Sequence, residues 1–209
     1  MKLGKEEIGK LDRIYRLNLI NSISGVKPAN LIATRSVDGN ENVGIFSSVV
    51  HLGSNPALLG FVIRPQSNPE TDTYANIHKT KFYTINHVSE SFIKKAHYTS
   101  AKLEKGVSEF DRMALNQVYY DEFYAPYVKE SAVKLGMKHS ESIPLPNGCT
   151  FIIGSVEMII VPDESINEEG QLDLSSYKGT GISGLNTYYG LKKLERFPYV
   201  RSNEIPEFE

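Results

Sequence analysis

The sequence predicts a mainly β protein, a closed β barrel with helices inserted between its strands. Three observations carry this. Residues 57–63, Ala-Leu-Leu-Gly-Phe-Val-Ile, are a nearly continuous apolar run, the pattern of a strand buried on both faces. Residues 150–161 form the longest β candidate, stopped by Pro162-Asp163. Short turn signals join the strands and no regular βαβ alternation is present, which favours a barrel over a doubly wound sheet.

The other elements follow in order. Ile8, Leu11, Ile14, Tyr15 and Leu19 recur at helical spacing, so a helix is expected over residues 5–20. Leu31-Ile32-Ala33-Thr34 reads as a strand, Asp38-Gly39 as a hairpin turn, and residues 43–50 as the return strand. Asn55-Pro56 breaks the pattern before the apolar run, and a loop is expected from Arg64 to Asn68. Thr71 or Asp72 suits the N-cap of a helix reaching about Lys79, followed by a strand over residues 81–86. Short helices are expected over 89–96 and 108–115, and a strand over 128–138. The tail from about Ser175 is rich in Gly, Tyr and Lys and reads as irregular. No repeat, low-complexity tract or linker divides residues 1–209, so one domain is expected.

Composition narrows the function classes. Net charge is −2 at pH 7 and the isoelectric point is near 6.2, so no global basic field exists for nucleic acid. No run reaches the roughly 18 apolar residues of a membrane helix. The first residues lack an apolar core, so no secretory signal is expected. Cys149 is the only cysteine; an intramolecular disulfide is impossible, which fits a reducing, cytoplasmic setting. The 12 Tyr and 9 Phe supply flat surface for a core or a planar ligand.

Two segments carry most of the chemistry. Phe46-Ser47-Ser48-Val49 puts small hydroxyl residues at the end of an apolar strand. A flavin ring needs hydrogen-bond partners along one edge and an apolar surface against its face, and such a strand end offers both. The plainer alternative is a serine-bearing strand edge. Arg64 precedes the hydroxyl-rich helix start Thr71-Asp72-Thr73. Free N–H groups and dipole character suit that start to an anion such as a phosphate, which an arginine fork also grips. Here the alternative is an ordinary capped helix with a solvated arginine. His97-Tyr98-Thr99-Ser100-Ala101 follows a short helix and either closes over a ring or stays on the surface. Residues 184–190, Gly-Leu-Asn-Thr-Tyr-Tyr-Gly, bring Tyr188 and Tyr189 either to a planar ligand or into a packed tail.

Other chemistries find no support. Cys-x-x-Cys, His-Glu-x-x-His and tight His/carboxylate clusters are missing, so no metal is expected. Gly-x-Ser-x-Gly and a phosphate loop ending in Gly-Lys-Ser/Thr are missing too. Residues 179–184 spell Gly-x-Gly-x-x-Gly, but no amphipathic helix follows, so a chance match in a flexible segment is expected. Glu104-Lys105 and Glu168-Glu169 read as solvated loops.

The order of the segments carries a resemblance. Leu31–Thr34, Asp38-Gly39, Phe46-Ser47-Ser48 and Asn55-Pro56-Ala57-Leu58-Leu59 lead into Arg64 and Thr73-Tyr74-Ala75-Asn76-Ile77. Then come Phe82-Tyr83-Thr84-Ile85-Asn86, Thr99-Ser100-Ala101, Ser108-Glu109-Phe110 and the long strand ending at Val161. From about residue 17 to 190 this succession resembles the flavin reductase-like, FMN-binding split-barrel family. Its most specific part is the Thr-x-x-Asn-Ile helix followed by the Phe-x-x-x-Asn strand. The resemblance implies a split β barrel with Greek-key character and a homodimer with FMN near the subunit interface. It places Ser47, Ser48 and the backbone around Phe46 and Val49 against the isoalloxazine or ribityl chain. It places Arg64, Thr71 and Thr73 near the phosphate, Thr99-Ser100-Ala101 along the ring and Thr34 on the floor. Two departures stand out: Gly25-Val26-Lys27-Pro28 where many members have Pro-Arg-Pro, and Asn55-Pro56 where many have a double proline.

The function this implies is reduction of flavin, or of a small-molecule substrate through bound FMN, by NADH or NADPH. The cofactor carries the hard chemistry, so no catalytic acid–base pair is expected, and none is identified. The alternatives are a non-enzymatic flavin-binding electron carrier or FMN-storage protein and, more distantly, a related barrel enzyme oxidising a pyridoxal-type or other small substrate.

Overall fold

The structure, a computed structural model, describes residues 1–104 and 106–208. The loop reading at Lys105 lies outside the described residues. The helix expected over 5–20 is two helices, α1 (Lys5–Lys10) and α2 (Arg13–Ser22). Asp12 divides them: its side chain accepts hydrogen bonds from the N–H groups of Ile14 (2.9 Å) and Tyr15 (3.0 Å). It therefore starts a new helix rather than continuing the old one.

The strands β1 (Lys27–Pro28), β2 (Asn30–Arg35), β3 (Glu41–Phe46), β4 (Val50–Ser54) and β5 (Ala57–Ile63) follow. The strand expected over 43–50 is thus interrupted at residues 47–49. Next come α3 (Asp72–Thr80), β6 (Phe82–His87), a 3-10 turn at Glu90–Phe92 and α4 (Ile93–Tyr98). The helix expected over 108–115 is the single turn α5 (Glu109–Arg112); Ala114 at φ 50° carries the chain out of it. After β7 (Gln117–Val118), the strand expected over 128–138 is two pieces, β8 (Tyr127–Val128) and β9 (Lys134–Pro144), separated by the turn at Ser131. β10 (Thr150–Ile160) is the long strand expected there. The tail is more ordered than its composition suggests, with β11 (Thr180–Ser183) and β12 (Thr187–Gly190).

Seven antiparallel strands make the main sheet, in the order β3-β2-β6-β9-β10-β5-β4. Its edge strands β3 and β4 are consecutive in the chain, so residues 47–49 bridge the split in the barrel. Ile32, Phe61, Ile63, Ile77, Tyr83, Ile85, Met137 and Ile152 fill the interior. A second cluster, including Leu31, Val88, Phe92, Phe110 and Ile182, takes the β2 residues that alternate with Ile32 and so lies on the other face of the sheet. There β1, β11 and β12 form a small sheet. The Gly-x-Gly-x-x-Gly match falls on β11, not in a flexible segment. Gly181 pairs with Pro28 and Tyr189, and a Cβ on it would lie 2.1 Å from Val26. Close backbone packing explains that glycine.

Candidate functional site

β5 delivers Arg64 to the surface at its C-terminal end, where the residue is exposed. Among the described residues its guanidinium has no hydrogen-bond acceptor. Gln66 folds back, donating from Nε2 to the Arg64 carbonyl at 2.6 Å. Its Oε1 accepts from both the Thr71 N–H (3.0 Å) and the Thr71 hydroxyl (2.8 Å). Thr71 is the N-cap of α3 but makes no side-chain cap of its own. An amide oxygen thus rests on the two donors predicted to meet a phosphate. Asp72 shares this first turn, so an incoming anion relies on Arg64 to offset that charge.

Behind this corner lies a polar hub. Thr73 and Asn76 come from the buried face of α3, Thr34 from β2 and Asn42 from β3. Asn76 Nδ2 donates to Thr34 Oγ1 at 3.0 Å. Thr73 Oγ1 donates to Asn42 Oδ1 at 2.9 Å, in the amide orientation that also turns Asn42 Nδ2 to Glu109 at 3.3 Å. Thr34 and Thr73 are buried, and their hydroxyls hold the helix to the sheet. Burial raises the Glu109 carboxyl above its ordinary range, and Asp72 adds to the rise.

Phe46 turns inward and meets Phe61 edge-on, ring centroids 5.2 Å apart. Val49 packs on the same core. Ser48 Oγ accepts from the Val62 N–H at 3.0 Å and reaches the Val62 carbonyl at 3.3 Å. Ser48 therefore docks two residues before Arg64, bringing the serine segment and the arginine to one end of β5. Ser47 beside it is partly exposed.

Thr99-Ser100-Ala101 follows α4, with Thr99 as its C-cap. Thr99 Oγ1 donates to the Ala96 carbonyl at 2.7 Å, while Ser100 and Ala101 are exposed. Among the described residues no hydrogen bond links these three to the Arg64 corner. Next to them His97 Nδ1 lies 3.2 Å from the Tyr188 hydroxyl, beside an open cavity of about 490 Å³ that Tyr98 and Lys94 also line. Burial pushes the Tyr188 hydroxyl up to about 12. Tyr188 packs on the outer core cluster, whereas Tyr189 is exposed. Among the described residues no group of three or more His, Cys, Asp or Glu is arranged to hold a metal ion. No helix there is long and apolar enough to cross a membrane.

Sequence reasoning missed Gln66, Asn42 and Glu109 as parts of this region. Asn76 was within reach of it: three residues after Thr73, it shares that residue's helix face.

The sheet split between β3 and β4, bridged by the serine segment, defines a split-barrel protein. The chain belongs to the flavin reductase like domain family, whose model matches residues 26–180. A split-barrel protein from Shewanella frigidimarina NCIMB 400, provisionally described as a flavin reductase, is 44% identical. Its crystal structure superposes with a TM-score of 0.91, covering 96% of this chain and 100% of that one. Nitrilotriacetate monooxygenase component B from Bacillus cereus shares the fold at 17% identity and TM-score 0.83, covering 94% of this chain and 98% of that one. Flavoredoxin of Desulfovibrio vulgaris does so at 20% identity and 0.72, covering 83% and 91%. The chain's function is a flavin-related one.

Proposed function

We propose that the chain binds FMN and passes reducing equivalents from NADH or NADPH through it to flavin or a small acceptor. The observation that carries this reading is Gln66 Oε1 on the two Thr71 donors, beside an arginine with no acceptor among the described residues. That corner suits a phosphate oxygen: two donors, a helix start and a cation converge there. Displacing the neutral Gln66 oxygen costs little, because the incoming acceptor remakes its bonds. Thr73 and Thr34 serve from behind, keeping α3 at a fixed distance from β2. Ser47 and the exposed backbone of residues 47–49 offer hydrogen bonds to a ring edge, and the Phe46 side supplies apolar contact. When bound, the flavin supplies the acceptor for a hydride and the donor for the next electron transfer. Two copies of the chain pair, with the cofactor near their junction.

The test compares FMN with riboflavin, which lacks the phosphate. Arg64→Ala should weaken FMN at least about tenfold and leave riboflavin nearly unchanged. Equal losses would remove the phosphate from this corner. Anaerobic NADH or NADPH should bleach the FMN-loaded protein. A yellow protein that stays yellow is the electron carrier or storage protein instead.

A further inference from the structure

The accessible surface of the chain is 13651 Å². A compact monomer of 23.4 kDa exposes about 9,700 Å². The surplus, about 4,000 Å², exceeds the roughly 800 Å² that each partner contributes to a standard stable interface. Two segments expose apolar side chains in a row. After β12 the chain is anchored on its own body by Lys193 to Asp173 (3.7 Å) and by the contact of Arg196 with Glu169. From Phe197 onward no hydrogen bond among the described residues ties it to the barrel. Yet this arm is apolar: Phe197, Tyr199, Ile205 and Phe208 are exposed, Tyr199 by 90% and Phe208 by 85%. The second segment is α2, which buries no residue and exposes Ile14, Leu17 and Ile20 at every third position.

We propose that the arm, residues 197–208, packs on a second copy of this chain, and that the apolar stripe of α2 lies in the same interface. This rests on the pairing of two copies read above and names the segments that make it. Both stripes lie on one chain, so a twofold axis covers each arm reciprocally. The net charge of −2 leaves little repulsion between like chains. Aromatic anchors such as Phe197, Tyr199 and Phe208 are the side chains whose burial dominates interface energy.

The test is sedimentation of the full-length chain over the micromolar range, with and without Phe197→Asp, Tyr199→Asp and Phe208→Asp together. These side chains are exposed, so the far-ultraviolet dichroism of the variant should match the parent. The parent should sediment as a dimer, and the variant's dimer should dissociate about thirtyfold more readily or worse. Ile20→Asp should weaken the dimer as well. A parent that is monomeric throughout overturns the pairing itself. A dimeric parent whose arm variant dissociates no more readily overturns the role of the arm and leaves the pairing standing. The FMN-against-riboflavin preference of the parent, measured in parallel, keeps either failure separate from that of the phosphate corner.

Discussion

The Ser48 hydroxyl takes the place of a strand partner for Val62. It accepts from the Val62 N–H at 3.0 Å and reaches the Val62 carbonyl at 3.3 Å. β4 begins only at Val50, whose partner is Gly60, so Val62 lies beyond the last strand pair. One side chain thus holds together the two margins of the barrel and aims the next residues, Ile63 and Arg64, toward α3.

Ser48→Ala removes both contacts and leaves the partly buried Val62 groups unpaired. The expected cost is about 1–2 kcal/mol. For a chain of this length that is a fall in Tm of roughly 2–8 °C. Ser48→Thr keeps the hydroxyl and should recover most of it. Thermal unfolding of the three proteins side by side checks this.

Gly154 sits where β9 and β10 shift register. A Cβ there would lie 2.3 Å from the Tyr83 hydroxyl and 2.8 Å from the Lys138 carbonyl, so backbone as well as side chain must move. Gly154→Ala should cost about 3 kcal/mol or more. Gly9→Ala is the contrast: apart from the backbone of α1 itself, nothing lies within 4 Å of a Cβ at that position. There the change should stabilise by up to about 1 kcal/mol. Urea midpoints that move alike for both would contradict the packing described for Gly154.

Gln66→Glu would place a carboxylate oxygen on the Thr71 donors. A negative charge at a helix start is worth about 0.3–1 kcal/mol, so the variant should fold at least as well as the parent. It should also repel phosphate, weakening FMN about tenfold while sparing riboflavin. Fluorescence titration with both ligands is the measurement, and an unchanged FMN affinity would place the phosphate away from Gln66.

His87 is held near 4 by burial, its Nδ1 lying 2.9 Å from the Tyr177 hydroxyl. An unfolded histidine titrates near 6.5. Between those values the unfolded chain binds a proton that the fold rejects, so stability is complete above about pH 6.5 and declines toward pH 4. The residue is partly exposed, which trims the loss to about 2 kcal/mol. Glu109 works in the opposite sense: its raised carboxyl takes up a proton more readily in the fold and offsets part of the loss. His87→Gln should flatten the decline in denaturant midpoint from pH 7 to pH 4.5. An equally steep decline in that variant would assign the proton uptake to other groups.

The strands were legible wherever a local pattern decided them. Residues 57–63 are apolar throughout and form β5 without adjustment, and Pro162 ends the long strand because it cannot extend the ladder. At the N-terminus the apolar spacing over residues 5–20 showed helix but not its division in two, which Asp12 makes by capping the second helix. The break after Phe46 was not: Ser47-Ser48-Val49 is compatible with an extended strand, and the bond that bends it comes from Val62, 14 residues away. β11 was hidden for the same reason. Its Gly-rich sequence has weak strand preference and is ordered by pairing with Lys27–Pro28, some 150 residues earlier.

Sequence alone determined that this is a β barrel with hydroxyls at a strand end and an arginine before a helix start, because those features are local and periodic. Tertiary structure decided which hydroxyls stay at the surface. Thr34 and Thr73 look like Thr71 and Ser47 in a string of letters, yet two of the four are buried in a polar hub. A hydroxyl bonds to whichever partner the fold brings within about 3 Å, and that proximity comes from the packing of α3 on β2 and β3, not from any neighbour in the chain.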